Sequence, residues 1–385
     1  MRIAIFSLIE WRFLKQRPQV FATELAKLGH EVYYWEPFAF NRQPHRLLWE
    51  ALKSTRIRES GERNIRLISS PYFWSASKYD RYFFMNKILS KRIVRLLRKL
   101  EIDFAIVLDS EYALPVIESG VPHAFDHLDK TEYMKDVPTE RFVSNMKRLE
   151  QTGAFNIYIH REEAENDPKG LFATNGCYPD EFYPVDCPKK FDAVVIGSIA
   201  KWCDMASILE SEKEILIVGP MDVDSGDNYE KFRNAAKSNL YYIPKIDKGV
   251  LNLWINSSCV GLVPFKEDDP VAQYAMPLKI LEYFLCEVPV VSFRCAGIEY
   301  QYGDKLTYYS RKGGGPSLDS AIEIAKQQSG KFDYRGFATQ YAWPAIVKNL
   351  EEKIAGVVAG TRRGGEGVHG ASAAVTHATR TGSTR

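Results

Sequence analysis

Short apolar runs alternate with longer amphipathic stretches along the first half of the chain. Arg2 to Leu8, Glu31 to Trp35, Asn64 to Ser69 and Phe104 to Leu108 are apolar enough to read as buried strands. Pro18 to Leu28 carries a helical period, and Gly29 supplies its C-cap. Strand, loop, helix, strand is the opening of a doubly wound α/β domain. The first turn lacks G-x-G-x-x-G, so a dinucleotide site there has no support. Pro122 to Phe125 reads as a strand end and Phe155 to His160 as a further strand-like run. The phrase from Asn175 to Pro184, NGCYPDEFYP, has linker chemistry, because Asn-Gly turns the chain and the prolines stiffen it. Phe191 to Ile196 opens a second α/β series, and Pro289 to Phe293 is a buried strand within it.

A chain of 385 residues suits two such domains, each able to bury its own core. The expected division is 1–170, a linker at 171–190, 191–333, a helical stretch at 334–355, and a tail from 356. That tail is rich in Gly, Ala, Thr, Arg and Ser; its composition predicts disorder and suits a vector-derived scar. A net charge of +2 argues against a general nucleic-acid binder. The six cysteines form no C-x-x-C pair and read as reduced, mostly buried thiols. The start enters a strand pattern directly, and no apolar run reaches membrane-spanning length. A cytoplasmic protein is therefore expected. Residues 72–100 are a candidate for peripheral membrane contact. Aromatic residues from Tyr72 to Phe84 precede a helical stripe of Met85, Leu89, Ile93, Leu96 and Leu100. Lys87, Lys91, Arg92, Arg95, Arg98 and Lys99 fill the remaining surface, and Glu101 is the first acid after Asp80. A core-packed helix with a solvated basic face fits the same pattern.

The densest chemistry lies in Tyr274 to Phe293, YAMPLKILEYFLCEVPVVSF. Pro277 suits the first turn of a short helix from Leu278 to Leu285. Lys279 and Glu282, three apart, share one face of it. A lysine at a helix start is a seat for an anionic phosphate, and a carboxylate one turn on can accept from vicinal hydroxyls. A surface ion pair is the plainer reading. Gly197 and Ser198 follow the strand Phe191 to Ile196. Glycine lets backbone approach a phosphate there, and Lys201 adds charge nearby. Asp126 and Asp129, with His127 between them, stand just beyond the strand end at Phe125. Sites in open α/β sheets form at such ends, although turns are also rich in aspartate.

The run P-L-K-I-L-E-Y-F-x-C-x-V-P-V-V from Pro277 resembles the nucleotide-sugar signature of GT-B glycosyltransferases. Glu214 to Pro220, Asn239 to Ile243, Leu251 to Trp254 and Cys259 to Phe265 resemble the phrases that precede the signature in that family. The resemblance implies an α/β GT-B fold, two Rossmann-like doubly wound domains facing across a cleft. It implies a hexosyltransferase that takes a sugar from a nucleoside diphosphate donor of UDP or GDP type, without a metal. The acceptor would be a hydroxyl of a glycan or lipid-linked molecule, in cell-surface polysaccharide synthesis. On this resemblance Gly197, Ser198, Lys201, Pro277, Leu278 and Lys279 would hold the diphosphate side, and Glu282 the ribose. Gln16 and Arg17, in a phrase similar to the opening of bacterial members, would meet an anionic acceptor group, unless Arg17 braces its loop. Val121 to Asp129 resembles a Y-D-x-x-D element of inverting members similar to xanthan-type glucuronosyltransferases. Asp129 is then the base candidate, with Asp126 as helper or structural partner and His127 as a second base. Tyr274 stands where many retaining members carry the first glutamate of E-x7-E, which favours inversion. Glu287 stands where the signature has glycine. A nucleotide-sugar 2-epimerase and a non-catalytic sugar-nucleotide or glycan-binding subunit fit the same motif.

Overall fold

A computed structural model describes residues 1–12, 15–37, 55–72, 85–127, 140–221, 226–245 and 248–372. Asp129 and residues 73–84 lie outside the described residues. The chain is mixed α/β with two parallel-dominated sheets. The first contains β1 (Arg2–Phe6), β2 (Glu31–Glu36), β3 (Arg56–Glu59), β4 (Ile65–Ser69), β5 (Phe104–Val107), β6 (His123–His127), β7 (Phe155–Tyr158) and β8 (Gly170–Phe172). Its order is β3-β4-β2-β1-β5-β6-β7-β8. β3 is antiparallel and exposed at all its positions, so no apolar run announces it. The second sheet contains β9 (Phe191–Ile196), β10 (Ile215–Val218), β11 (Leu240–Ile243), β12 (Ser258–Val263), β13 (Val290–Phe293) and β14 (Leu306–Tyr309). Its order is β11-β10-β9-β12-β13-β14, with parallel pairing throughout.

Two compact units emerge. The first comprises Met1–Asp126, Thr139–Asn156 and Val347–Arg385; the second comprises His127–Pro138 and Ile157–Ile346. The division after Asn156 precedes the expected residue 170, because Ile159 already packs into the second core.

In the first unit Phe6, Trp35, Ala105 and Val107 meet Leu89, Ile93 and Leu97 of the helix Asn86–Lys99. The buried stripe runs through Leu97, with Leu96 and Leu100 only half-buried, because steps of four from Leu89 turn the face that way. The helix Trp343–Ser372 continues past residue 355, where the composition of the tail predicted disorder. Val347, Leu350, Ile354 and Val358 are buried at helical spacing, so the apolar stripe outlasts the change in composition. Glu351 lies 3.2 Å from His30, and Arg362 lies 2.7 Å from Asp103 in the same unit.

In the second unit the sheet order makes β9 and β12 the strands between which the chain's winding reverses. The helix Lys279–Leu285 packs beside β12 and β13, and Ile280, Leu281, Phe284 and Leu285 are fully buried. It leads to Glu287, whose φ of 56° is left-handed. The turn usually made by glycine is thus kept with a glutamate in it. Its N–H donates to Phe284 O at 2.9 Å, which closes the helix end. A Cβ in this region costs roughly 1–2 kcal/mol. Glu287→Gly should therefore raise the stability of the second unit by about 1 kcal/mol in urea unfolding. An unchanged or lowered midpoint would show that the strain is absorbed elsewhere.

Candidate functional site

The buried Tyr283 organises the end of the second sheet. Pairing of β9 with β12 reaches Gly261 opposite Val194, and beyond that the strands diverge. The Tyr283 hydroxyl lies in this fork. It accepts from Ile196 N–H at 3.1 Å and shares its proton between Val194 O at 3.1 Å and Leu262 O at 3.2 Å. Gly261 makes room for the ring, since a Cβ there would sit 2.4 Å from it. The tyrosine ties its helix to both strands and so fixes Lys279, one turn earlier, relative to the strand ends.

Beyond β9 the chain turns at Gly197, φ 94°, and beyond β10 at Gly219, φ 143°. A side chain at Gly219 would meet Gly197 O at 2.1 Å, so the two turns touch backbone to backbone. Gly197 N–H donates to Val218 O and Ile199 N–H to Pro220 O, both at 2.9 Å. Ser198 between them is exposed, and its N–H has no partner among the described residues. The Lys279 ammonium lies about one van der Waals contact from this turn: a Cβ built on Gly197 would be 3.5 Å from Nζ. It also lies 5.4 Å from the centre of the Phe265 ring.

Lys279 has no hydrogen-bond or ion-pair partner among the described residues, so the surface pair with Glu282 is not formed. Burial pushes its pKa down, opposed weakly by Cys203 and Glu282. An unpaired, half-buried ammonium facing a glycine turn and a spare N–H is a seat for an anion. Glu282 is half-buried one turn on, and its charge reaches Cys177 and Cys286. Leu278 immediately precedes the helix, which starts at Lys279, and Pro277 O accepts from Ile280 N–H at 3.3 Å. Lys201 is exposed, and its carbonyl accepts from Lys266, tying the loops after β9 and β12 together.

No protein-family model matches the sequence, and no curated relative matches it either. Solved structures do. Sucrose-phosphate synthase from Thermosynechococcus elongatus is similar with a TM-score of 0.70 at 14% identity, over 94% of this chain and 100% of that one. A glycosyltransferase from Rickettsia africae has a TM-score of 0.66 at 13% identity, over 91% and 97%. Anabaena HepE in complex with UDP and glucose has a TM-score of 0.63 at 10% identity, over 92% and 99%. The fold is GT-B.

Within this GT-B chain the residues expected to face the acceptor are placed differently from expectation. Asp126 lies inside β6, not beyond its end, and is fully buried. Arg17 holds it through Nε at 2.8 Å and Nη2 at 3.1 Å. A buried carboxylate demands a paired cation, so Arg17 is drawn inward, its guanidinium 4.5 Å from the Phe21 ring centre. Arg17 and Asp126 are thus paired inside the first unit. Gln16 precedes the helix Arg17–Lys27, and its N–H donates to Gln19 Oε1 at 3.1 Å. His127 ends β6 with its ring stacked 4.4 Å from that of Tyr158.

Sequence reasoning passed over the turn after β5. Asp109, Ser110, Glu111 and Tyr112 are all buried there, at the strand end next to β1. Asp109 Oδ1 accepts from Glu111 N–H at 3.0 Å, while Oδ2, Ser110 Oγ and the Tyr112 hydroxyl have no partner among the described residues. Burial, reinforced by Glu111, raises the Asp109 pKa well above the carboxylate range. The usable signal was a polar D-S-E-Y run at the carboxyl end of a central strand.

Removing the Tyr283 hydroxyl takes one partner from a buried N–H and from two carbonyls. Tyr283→Phe should cost about 1–3 kcal/mol in urea unfolding. A cost near zero would mean that the fork is held by packing alone.

Proposed function

We propose that this chain is a glycosyltransferase that uses a nucleoside diphosphate sugar as donor. The observation that carries the reading is the half-buried, unpaired Lys279 ammonium beside the Gly197–Ser198 turn. It stands at the topological switch point of a Rossmann-like sheet, where such sheets hold their ligands. In glycosyl transfer the leaving diphosphate gains charge as the sugar departs. A fixed ammonium and an unsatisfied N–H at that position stabilise the transition state more than the ground state. Glu282 would accept from the ribose hydroxyls. UDP is the first nucleotide to test, because HepE is solved with UDP and glucose.

The acceptor would be a hydroxyl of a glycan or lipid-linked molecule in cell-surface polysaccharide synthesis. Lys87, Lys91, Arg95, Arg98 and Lys99 are exposed on one helix with Ile88, which supports contact with an anionic membrane surface. Among the described residues no helix is long and apolar enough to cross a membrane. Asp129 is the proposed acceptor base.

Nucleotide binding tests the donor site. At 100 times its Kd, UDP or GDP should stabilise the wild type by about 2.7 kcal/mol. The thermal shift should vanish in Lys279→Met and shrink in Glu282→Ala. The pH dependence has a definite sign. In the free protein burial lowers the Lys279 pKa, whereas a bound diphosphate favours the ammonium and raises it. Affinity is therefore greatest below the free-protein pKa and falls as pH rises through it. That fall should be absent in Lys279→Met. No shift with either nucleotide, or the same shift in both variants, would contradict the donor site.

A further inference from the structure

We infer that a cavity of the same unit is the subsite for the donor's sugar, and that it takes a neutral hexose rather than a uronate. The inference rests on the donor reading above. The cavity has a volume of about 150 Å³ and is lined by His160, Arg161, Glu163, Gln273, Tyr274 and Tyr300, among others. That is room for several waters, and so for one small polar ring.

Its polar groups are built rather than incidental. The Tyr274 hydroxyl donates to Glu163 Oε2 at 2.7 Å and orients the carboxylate. Tyr274 thus occupies the position of the expected glutamate, while a carboxylate is supplied from the helix Arg161–Asn166. The Arg161 guanidinium lies 4.4 Å from the Phe172 ring centre and has no hydrogen-bond or ion-pair partner among the described residues. It keeps five N–H donors for a ligand, and a carboxylate offers several lone pairs. Donor and acceptor side by side match the hydroxyls of a sugar ring, each of which both donates and accepts.

Charge decides which sugar. Glu162 and Glu163 line the cavity, and Glu165 accepts from the Tyr300 hydroxyl at 2.7 Å. Three carboxylates against one guanidinium repel a sugar that is itself a carboxylate. The cavity is also tied to the diphosphate seat by a fixed segment. His160 Nε2 bonds to Tyr274 O at 2.9 Å, and Asn175 Nδ2 donates to Met276 O at 3.1 Å. Both bonds hold the stretch that runs into Lys279.

Calorimetric titration of UDP, UDP-glucose and UDP-glucuronate into wild type, Glu163→Gln and Arg161→Met tests this; GDP and GDP-mannose replace UDP and UDP-glucose if the wild type prefers GDP. The wild type should bind the neutral hexose at least tenfold more tightly than the uronate. Each variant should lose about tenfold in affinity for the hexose donor while the nucleotide alone binds within twofold of wild type. Tyr274→Phe, which removes the bond from the tyrosine hydroxyl to Glu163, should lose about threefold. Unchanged hexose binding in Glu163→Gln and Arg161→Met, with the nucleotide still bound, overturns the subsite alone. Tighter binding of the uronate overturns the assignment of a neutral sugar. A wild type that binds no nucleotide overturns the donor reading together with the subsite.

Discussion

One tyrosine hydroxyl holds the functional end of the second unit together. Parallel strands that part at a switch point leave backbone groups without ladder partners, and a buried unpaired group costs roughly 1–3 kcal/mol. Tyr283 bonds three backbone groups from inside the fork, and Gly261 is the vacancy that admits its ring. The same residue fixes the helix that carries Lys279 and Glu282. Their spacing in sequence becomes a spacing at the sheet's edge because the helix cannot slide against β9 and β12.

Most of the second unit was legible in the sequence. Buried parallel strands are continuous apolar runs, and β9 was read to the residue because polar or turn residues bound it on both sides. The Pro277 to Glu282 motif was legible for the same reason: proline, lysine and glutamate stand at fixed steps into one short helix. What the sequence could not show was pairing at long range. Arg17 and Asp126 are 109 positions apart, and each looked like a loop residue facing a ligand. Their mutual burial is visible only in the folded chain. Glu163 was equally hidden, since its partner Tyr274 lies 111 positions away. The edge strand β3, wholly exposed, carries no apolar signal at all.

The electrostatics of the two units differ in kind. In the first, the buried charges are either matched, as Arg17 with Asp126, or shifted toward neutrality, as Asp109. In the second, Lys279 is half-buried without a partner and Arg161 is left without an ion pair. Uncompensated cations are unfavourable in a resting protein and favourable when an anionic or hydroxyl-rich ligand arrives.

A crystal structure with bound UDP or GDP tests the central claim most directly. The account predicts diphosphate oxygens within hydrogen-bond distance of Lys279 Nζ and Ser198 N–H, with the ribose hydroxyls on Glu282. A diphosphate bound away from the Gly197 turn, with Lys279 still unpaired, would contradict it.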